Sequence, residues 1–385
     1  MKKNIQDYLI IIFLLLGPIL DVFSFYNNPI NIIVRTVFLI SIIIYLLLTK
    51  KEYKYLIPLL VFALVLFIYQ YLYLHIGLVS TISNILKLLY LPVGMLFFKN
   101  YIVPTNKNRL LTVILFTYLL IYYFSYITKL GANAYLDTDG KSGFKGLFSS
   151  INEFSAILVC LIPVVFTYLK NNKKYLLLIT LILLITGCSL LIGTKVLLGG
   201  LVFGIIYLLF QERDKLFFNR SPKTKVIIIL LALLTLVSGT FLFTKTRTYK
   251  NMLVQNDFFK VENVLSFDYL NKIIFNDRFS FASNNFNYFK NQDLSHQLLG
   301  ISLQDTNIKM IEIDILDIII RYGIIGFIIF TTISVLIIKD TKPTIDSIIS
   351  LILLVLISLT SGHVLFYPAV SIYFGVLLSR GVGNK

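Results

Sequence analysis

Of 385 residues, none is Trp, only two are Cys and only three are His. Each scarcity excludes something. Cys160 and Cys188 both sit in apolar runs, so they read as small core residues, with no disulfide framework or metal site. His75, His296 and His363 lack metal-ligand spacing, which argues against a zinc site. Charge is scarce as well: 14% of residues are Asp, Glu, Lys or Arg, against about 25% in a soluble domain. There is no Walker loop and no Rossmann glycine fingerprint. There is no internal repeat, low-complexity tract or soluble domain. A formal net charge of +16 alone would suit a nucleic-acid binder, but basic residues beside long apolar runs are topology signals.

Apolar residues dominate: 57% of the chain, with a mean hydropathy of +0.84. A helix crossing the hydrocarbon core needs about 20 such residues. Twelve segments qualify, near 8–25, 30–49, 55–75, 81–98, 110–128, 151–169, 175–193, 195–210, 226–244, 314–338, 345–361 and 364–379. Lys2 and Lys3 precede the first, but Asp21, Phe23 and Phe25 stand where a signal peptide would need small residues, so it reads as a retained helix. With the N-terminus inside, cytoplasmic connections and ends carry 20 of the 35 basic residues, while most opposite connections are short and carry none. Twelve spans with both termini cytoplasmic therefore satisfy the positive-inside rule. With Trp absent, an interfacial aromatic belt must come from the 24 Tyr.

The expected architecture is all-α and polytopic: transmembrane helices one to nine in 1–244, an extracytoplasmic loop in 245–313, and helices ten to twelve with a short cytoplasmic tail in 314–385. A shorter outer loop at 129–150 is rich in Gly, Asp and Ser and reads as turns. The long loop is full of Phe, Leu and Ile. Phe279, Ala282, Phe286 and Phe289 recur at helical spacing, and Val261, Val264, Leu265, Tyr269 and Ile273 suggest a second amphipathic helix. Both are expected to lie on the outer mouth of the bundle, apolar faces down.

Ionisable residues inside a membrane are costly and default to functional hypotheses. Arg35, Lys87, Lys195 and Arg321 lie toward the outer side and could converge on one outward-facing cavity. Each has a plainer reading. Arg35 and Lys87 could snorkel, Lys195 could punctuate the topology, and Arg321 could pair with Asp317 four residues earlier. Glu312 and Asp314, where the loop enters the tenth helix, could serve its dipole. Arg278 opens the Phe-patterned helix, and Asp277 could cap it. Of the histidines, His363 at the outer end of helix twelve is the best functional candidate; His296 reads as a solvated loop residue.

Cations around such a cavity would hold a phosphate or diphosphate by charge-assisted hydrogen bonds. A carboxylate or His nearby (Glu312, Asp314 or His363) could take a proton from a hydroxyl nucleophile. Together they suit displacement of a diphosphate from an activated sugar. Asp137 and Asp139 form a D-T-D on an outer loop, where no nucleotide-sugar is expected, so the donor would arrive in the membrane as a lipid-linked sugar.

Four stretches resemble the O-antigen polymerase and ligase superfamily, most of all the Wzy-type polymerases of capsular or exopolysaccharide loci. They are NEFSAILVCLIPVVFTYL (152–169), with an intramembrane Pro163, CSLLIGTKVLLGGL (188–201), NDRFSF followed by LLGIS (276–302), and EIDILDIIIRYGIIGFIIF (312–330). The resemblance implies a GT-C-like bundle that joins undecaprenyl-diphosphate-linked repeat units on the outer face of the cytoplasmic membrane, with no metal, nucleotide or other cofactor. Membrane lipid, a chain-length regulator and a flippase would be the other partners, and no nucleic acid. By resemblance Lys195 replaces a basic residue usually written Arg, and Arg278 is the loop arginine; both would bind diphosphate. Ligase relatives open the post-loop helix with a His. Glu312 and Asp314 stand there instead, which favours a polymerase and leaves the base open. A flippase for the same lipid-linked unit, a ligase and a cell-wall glycosyltransferase of the SEDS type are the alternatives.

Overall fold

The computed structural model describes residues 5–101, 103, 106–135, 142–213, 244–259, 271, 275, 278–301, 311–362 and 364–379. The first half holds α1 (Ile5–Phe25), α2 (Ile30–Leu48), α3 (Tyr53–Ile68), α4 (Leu78–Asn100) and α5 (Lys107–Thr128). A short antiparallel ladder, β1 (Ala132–Asn133) with β2 (Phe144–Gly146), precedes α6 (Ile151–Asn171), α7 (Tyr175–Ile192) and α8 (Lys195–Gln211). The long connection contributes α9 (Arg247–Phe259), α10 (Arg278–Lys290) and α11 (Leu294–Leu299). The chain continues through α12 (Asp314–Thr341), α13 (Ile345–Thr360) and α14 (Pro368–Leu378).

Eight of these helices are long and apolar enough to cross a membrane, and α8, α13 and α14 are shorter apolar helices. The protein is an all-α polytopic membrane protein. Helices are what such a solvent demands, because they satisfy every backbone N–H and C=O within one segment. The expected ninth span, 226–244, falls almost wholly outside the described residues.

Burial orders the bundle. In α6, 78% of the membrane window is buried, against 28% in α1 and in α2, so α6 is central and the first two helices face lipid. Small residues let α8 approach α6: a Cβ on Gly200 would overlap Val159, and one on Gly204 would overlap Ile162. This is the small-xxx-small contact that membrane helices use in place of a hydrophobic drive.

The helix ends sort into two sets. At one end, Tyr101 donates to Asp7 at the start of α1, Lys99 bridges Glu52 and Asp340, Lys170 pairs with Glu212, and Lys107 donates to the carbonyls of Leu377 and Ser379. This is the basic end, and it holds both the start of α1 and the end of α14. The opposite, loop end holds the strand ladder and α9 to α11. Asn251 of α9 clamps the shorter loop to the α7–α8 turn. Its amide donates to the carbonyls of Ser142 and Gly193, and its oxygen accepts the Ser142 N–H.

Several expectations need correction. Within the loop at 129–150, read as turns alone, β1 and β2 form a short ladder seated on α5, with the Tyr122 hydroxyl donating to the Phe144 carbonyl. In α10 the inward face is Arg278, Ala282 and Phe289, while Phe279 and Phe286 are exposed, because Arg278 turns the helix toward its acidic partner. The proposed helix through Val261 and Ile273 lies outside the described residues. The last helix starts at Pro368, later than the expected 364. The N–H groups of Val364 and Leu365 are bound to Asp314, and Pro368 is favoured in the first helical turn.

The expected tenth span is interrupted. Gly323 has φ 71° and ψ −179° inside α12, a conformation open essentially to Gly alone. The carbonyl freed just before the break is met by the end of α11: Ile301 N–H donates to Ile320 O at 2.7 Å. A Cβ on Gly323 would fall on the backbone of Leu298, and one on Gly300 (φ 91°) on the backbone of Arg321. The α11 terminus is thus inlaid, backbone against backbone, in the broken helix.

Candidate functional site

The candidate charges at the loop end lie on seven helices, α1, α2, α4, α6, α8, α10 and α12. Asp21 lies near the end of α1 and Arg35 five residues into α2. Arg35 is 7% exposed and does not snorkel: its Nη2 donates to Asp21 Oδ1 at 2.6 Å. Tyr118 of α5 donates to the other oxygen of Asp21, also at 2.6 Å, and Tyr90 of α4 donates to the Arg35 carbonyl. Both oxygens of the carboxylate are hydrogen-bonded, as a buried pair requires, while Arg35 Nε is buried without an acceptor.

A second ion pair stands at the entrance to α12. Arg278 donates through Nε and Nη2 to Glu312 Oε2, at 3.2 and 2.5 Å, and through Nη1 to the Thr360 carbonyl. Glu312 itself has a left-handed backbone (φ 62°). Its N–H and that of Ile311 donate to the two oxygens of Asp317, each at 3.2 Å. Asp314 is fully buried, and its Oδ2 accepts the N–H groups of Val364 and Leu365, both at 2.8 Å. The acidic start of α12 thus organises backbone: Asp317 holds the incoming segment at Ile311 and Glu312, and Asp314 the α13–α14 turn.

Between the two ion pairs lie Lys87, Glu153 and Arg321. Lys87 is within electrostatic reach of Arg321 and Glu153, and Glu153 of Asp21 and Arg35. Tyr367, just before α14, feels Glu153, Arg321, Asp314 and Glu312, and burial pushes its hydroxyl well above the usual tyrosine range. Arg321 stands at the α12 break, its guanidinium 5.8 Å from the Phe366 ring and its Nε buried without an acceptor. Among the described residues, neither Lys87 nor Arg321 forms an ion pair. Two like charges held near each other and unmatched are what an anionic ligand would complete.

Arg35, Lys87 and Arg321 therefore come together, with Arg278, Glu312 and Asp314 on their rim. Lys195 opens α8, which runs parallel to α6 with Gly200 against Val159. That register sets Lys195 level with the start of α6, beside the turn that Asn251 clamps. His363 lies outside the described residues, as does Asp277. His296 stands on α11, beside Asp293 and against the rings of Tyr69 and Tyr73. Glu153, Tyr118 and Tyr367 were not foreseen as site residues. The signal for Glu153 was present: a carboxylate at membrane depth with no cation within four residues along the helix.

Cationic groups gathered on helices beneath a structured loop, around a carboxylate, suit chemistry on an anionic substrate. The chain matches the family described as O-antigen ligase like membrane protein over residues 3–263 and 260–382. It belongs to that family. Membership carries the general activity, glycan polymerase or ligase chemistry in the membrane, and a link to O-antigen-type polysaccharide biosynthesis. No curated protein and no solved structure matches the chain. Within this O-antigen ligase like protein, the family-resembling stretches meet in space: NEFS brings Glu153, and the glycines of LLGIS and RYGIIG interlock.

Proposed function

We propose that this O-antigen ligase like protein is a Wzy-type polymerase. It joins undecaprenyl-diphosphate-linked oligosaccharide repeat units on the outer face of the cytoplasmic membrane, with the loop end outward. The observation that carries the reading is the unpaired couple Lys87 and Arg321, facing Glu153 between two ion pairs. The donor diphosphate binds that couple, with Lys195 reaching the donor from the rim, while Arg278 stays committed to Glu312 and the Thr360 carbonyl. A sugar hydroxyl of the acceptor unit forms a bond to the donor's anomeric carbon. The bond from that carbon to the diphosphate oxygen breaks, and the electron pair leaves with the diphosphate. Cations fixed in a water-poor site stabilise that departing charge more than they would in water.

Deletion of the gene tests the reading. Single lipid-linked repeat units should accumulate and long chains should vanish; normal-length polymer in the deletion strain refutes it. The second reading is a ligase, which the family description favours by its wording. It requires a deletion strain that still makes polymer but leaves it on its lipid carrier.

A further inference from the structure

We propose that Glu153 is the general base that accepts the proton of the acceptor hydroxyl. The inference rests on the glycan-transfer reading above and gives a role to a residue that reading leaves idle.

Five carboxylates belong to the loop-end cluster, and four are committed. Asp21 receives Arg35 on one oxygen and the Tyr118 hydroxyl on the other. Glu312 receives two nitrogens of Arg278. Asp314 holds two backbone N–H groups and Asp317 two more. Protonating any of these would break contacts that shape the site. Glu153 differs. Its backbone N–H is capped by Ser150 Oγ, which fixes the first turn of α6, and its carboxyl group is approached by the same Ser150 hydroxyl. Among the described residues no cation and no backbone N–H is bonded to that carboxylate.

Position agrees with chemistry. The neighbouring Asn152 donates to the Ser361 carbonyl at 2.9 Å, tying the start of α6 to the turn that carries Tyr367. Glu153 therefore faces Lys87 on one side and the α13–α14 turn on the other. A base must lie within reach of the attacking hydroxyl while the cations hold the leaving group. In the transfer step the hydroxyl oxygen bonds to the anomeric carbon, its proton passes to a Glu153 oxygen, and the diphosphate departs with the electron pair of the broken bond. The proton then passes from Glu153 to water.

The test uses the full-length protein. Membranes of the deletion strain supply accumulated lipid-linked units as substrate, and undecaprenyl diphosphate is the binding probe, followed by native mass spectrometry. Glu153→Gln should bind undecaprenyl diphosphate like the wild type while polymer formation falls at least about 100-fold. Lys87→Ala should lose the probe. Glu153→Asp, which keeps the charge and sits one methylene back, should retain partial activity with a displaced acid limb in its pH–rate profile. Wild-type polymer from Glu153→Gln overturns the proposal. So does loss of probe binding in Glu153→Gln, or an unmoved acid limb in Glu153→Asp. Normal polymer from the deletion strain overturns the parent reading and this one together, and is told apart because it needs no variant.

Discussion

The two ends of the bundle both carry polar networks, and they are built differently. At the basic end every described cluster is closed. Lys99 lies 2.9 Å from both Glu52 and Asp340, and Tyr55 donates to the same Asp340 oxygen. Asp346 Oδ1 accepts from Thr167, Tyr207 and Gln211, and Lys170 donates to Gln211 and pairs with Glu212. At the loop end, Asp21–Arg35 and Glu312–Arg278 are ion pairs, with Arg35 Nε left without an acceptor, but among the described residues Lys87, Arg321 and Glu153 between them form no ion pair. Where charges only hold helices together, each finds a partner within the protein. Where they are left unmatched at membrane depth, their cost persists unless something else completes them. The contrast marks the loop end as the candidate site without reference to any family.

Substitutions can break that contrast. The largest effect is expected from Lys87→Ala and Arg321→Ala, with polymer falling by about 100- to 1,000-fold per variant while the protein inserts and melts normally. Polymer immunoblots beside detergent thermal melts read both. Wild-type chain lengths would make the open couple part of the scaffold. Next comes Gly323→Ala, which places a side chain on Leu298 backbone at a conformation that costs about 1–3 kcal/mol for other residues. It should release α11, seen as new protease cleavage in the loop, and abolish polymer. Asp346→Ala at the basic end leaves three donors without their acceptor and should lower stability by about 1–3 kcal/mol. Polymer per folded molecule should stay unchanged. A specific loss of polymerisation there would erase the distinction between the ends. The smallest effect belongs to Lys54→Ala, whose ion pair spans 3.8 Å with a lysine side chain 68% exposed; a shift within about 1 kcal/mol is expected.

The membrane plan was legible because hydropathy and basic residues act locally along the chain. The helix segments and the alternation of ends could be read without tertiary contacts. The gathering of Arg35, Lys87 and Arg321 was legible too, since charge at membrane depth is conspicuous in any sequence. What stayed hidden was pairing. Nothing in the spacing joins Arg278 to Glu312, 34 residues apart, or Tyr118 to Asp21, 97 apart. Asp314 and Glu312 were conspicuous acids, and only their partners show that they hold a turn and an arginine. The α12 break was hidden for another reason. A glycine inside an apolar run reads as a weak helix residue until its neighbour from the loop is known.

The inlay of α11 in α12 also bears on how the chain is assembled. The first two turns of α12 take their final form only once residues 298–301 are in place. The end of the long connection must therefore fold back onto the bundle before that helix is complete. Completion of α12, which carries Arg321 at its break, is thereby coupled to docking of the loop. Because the inlay joins main chain to main chain, it prescribes two glycines and little else, so the surrounding side chains are free to drift while the joint survives.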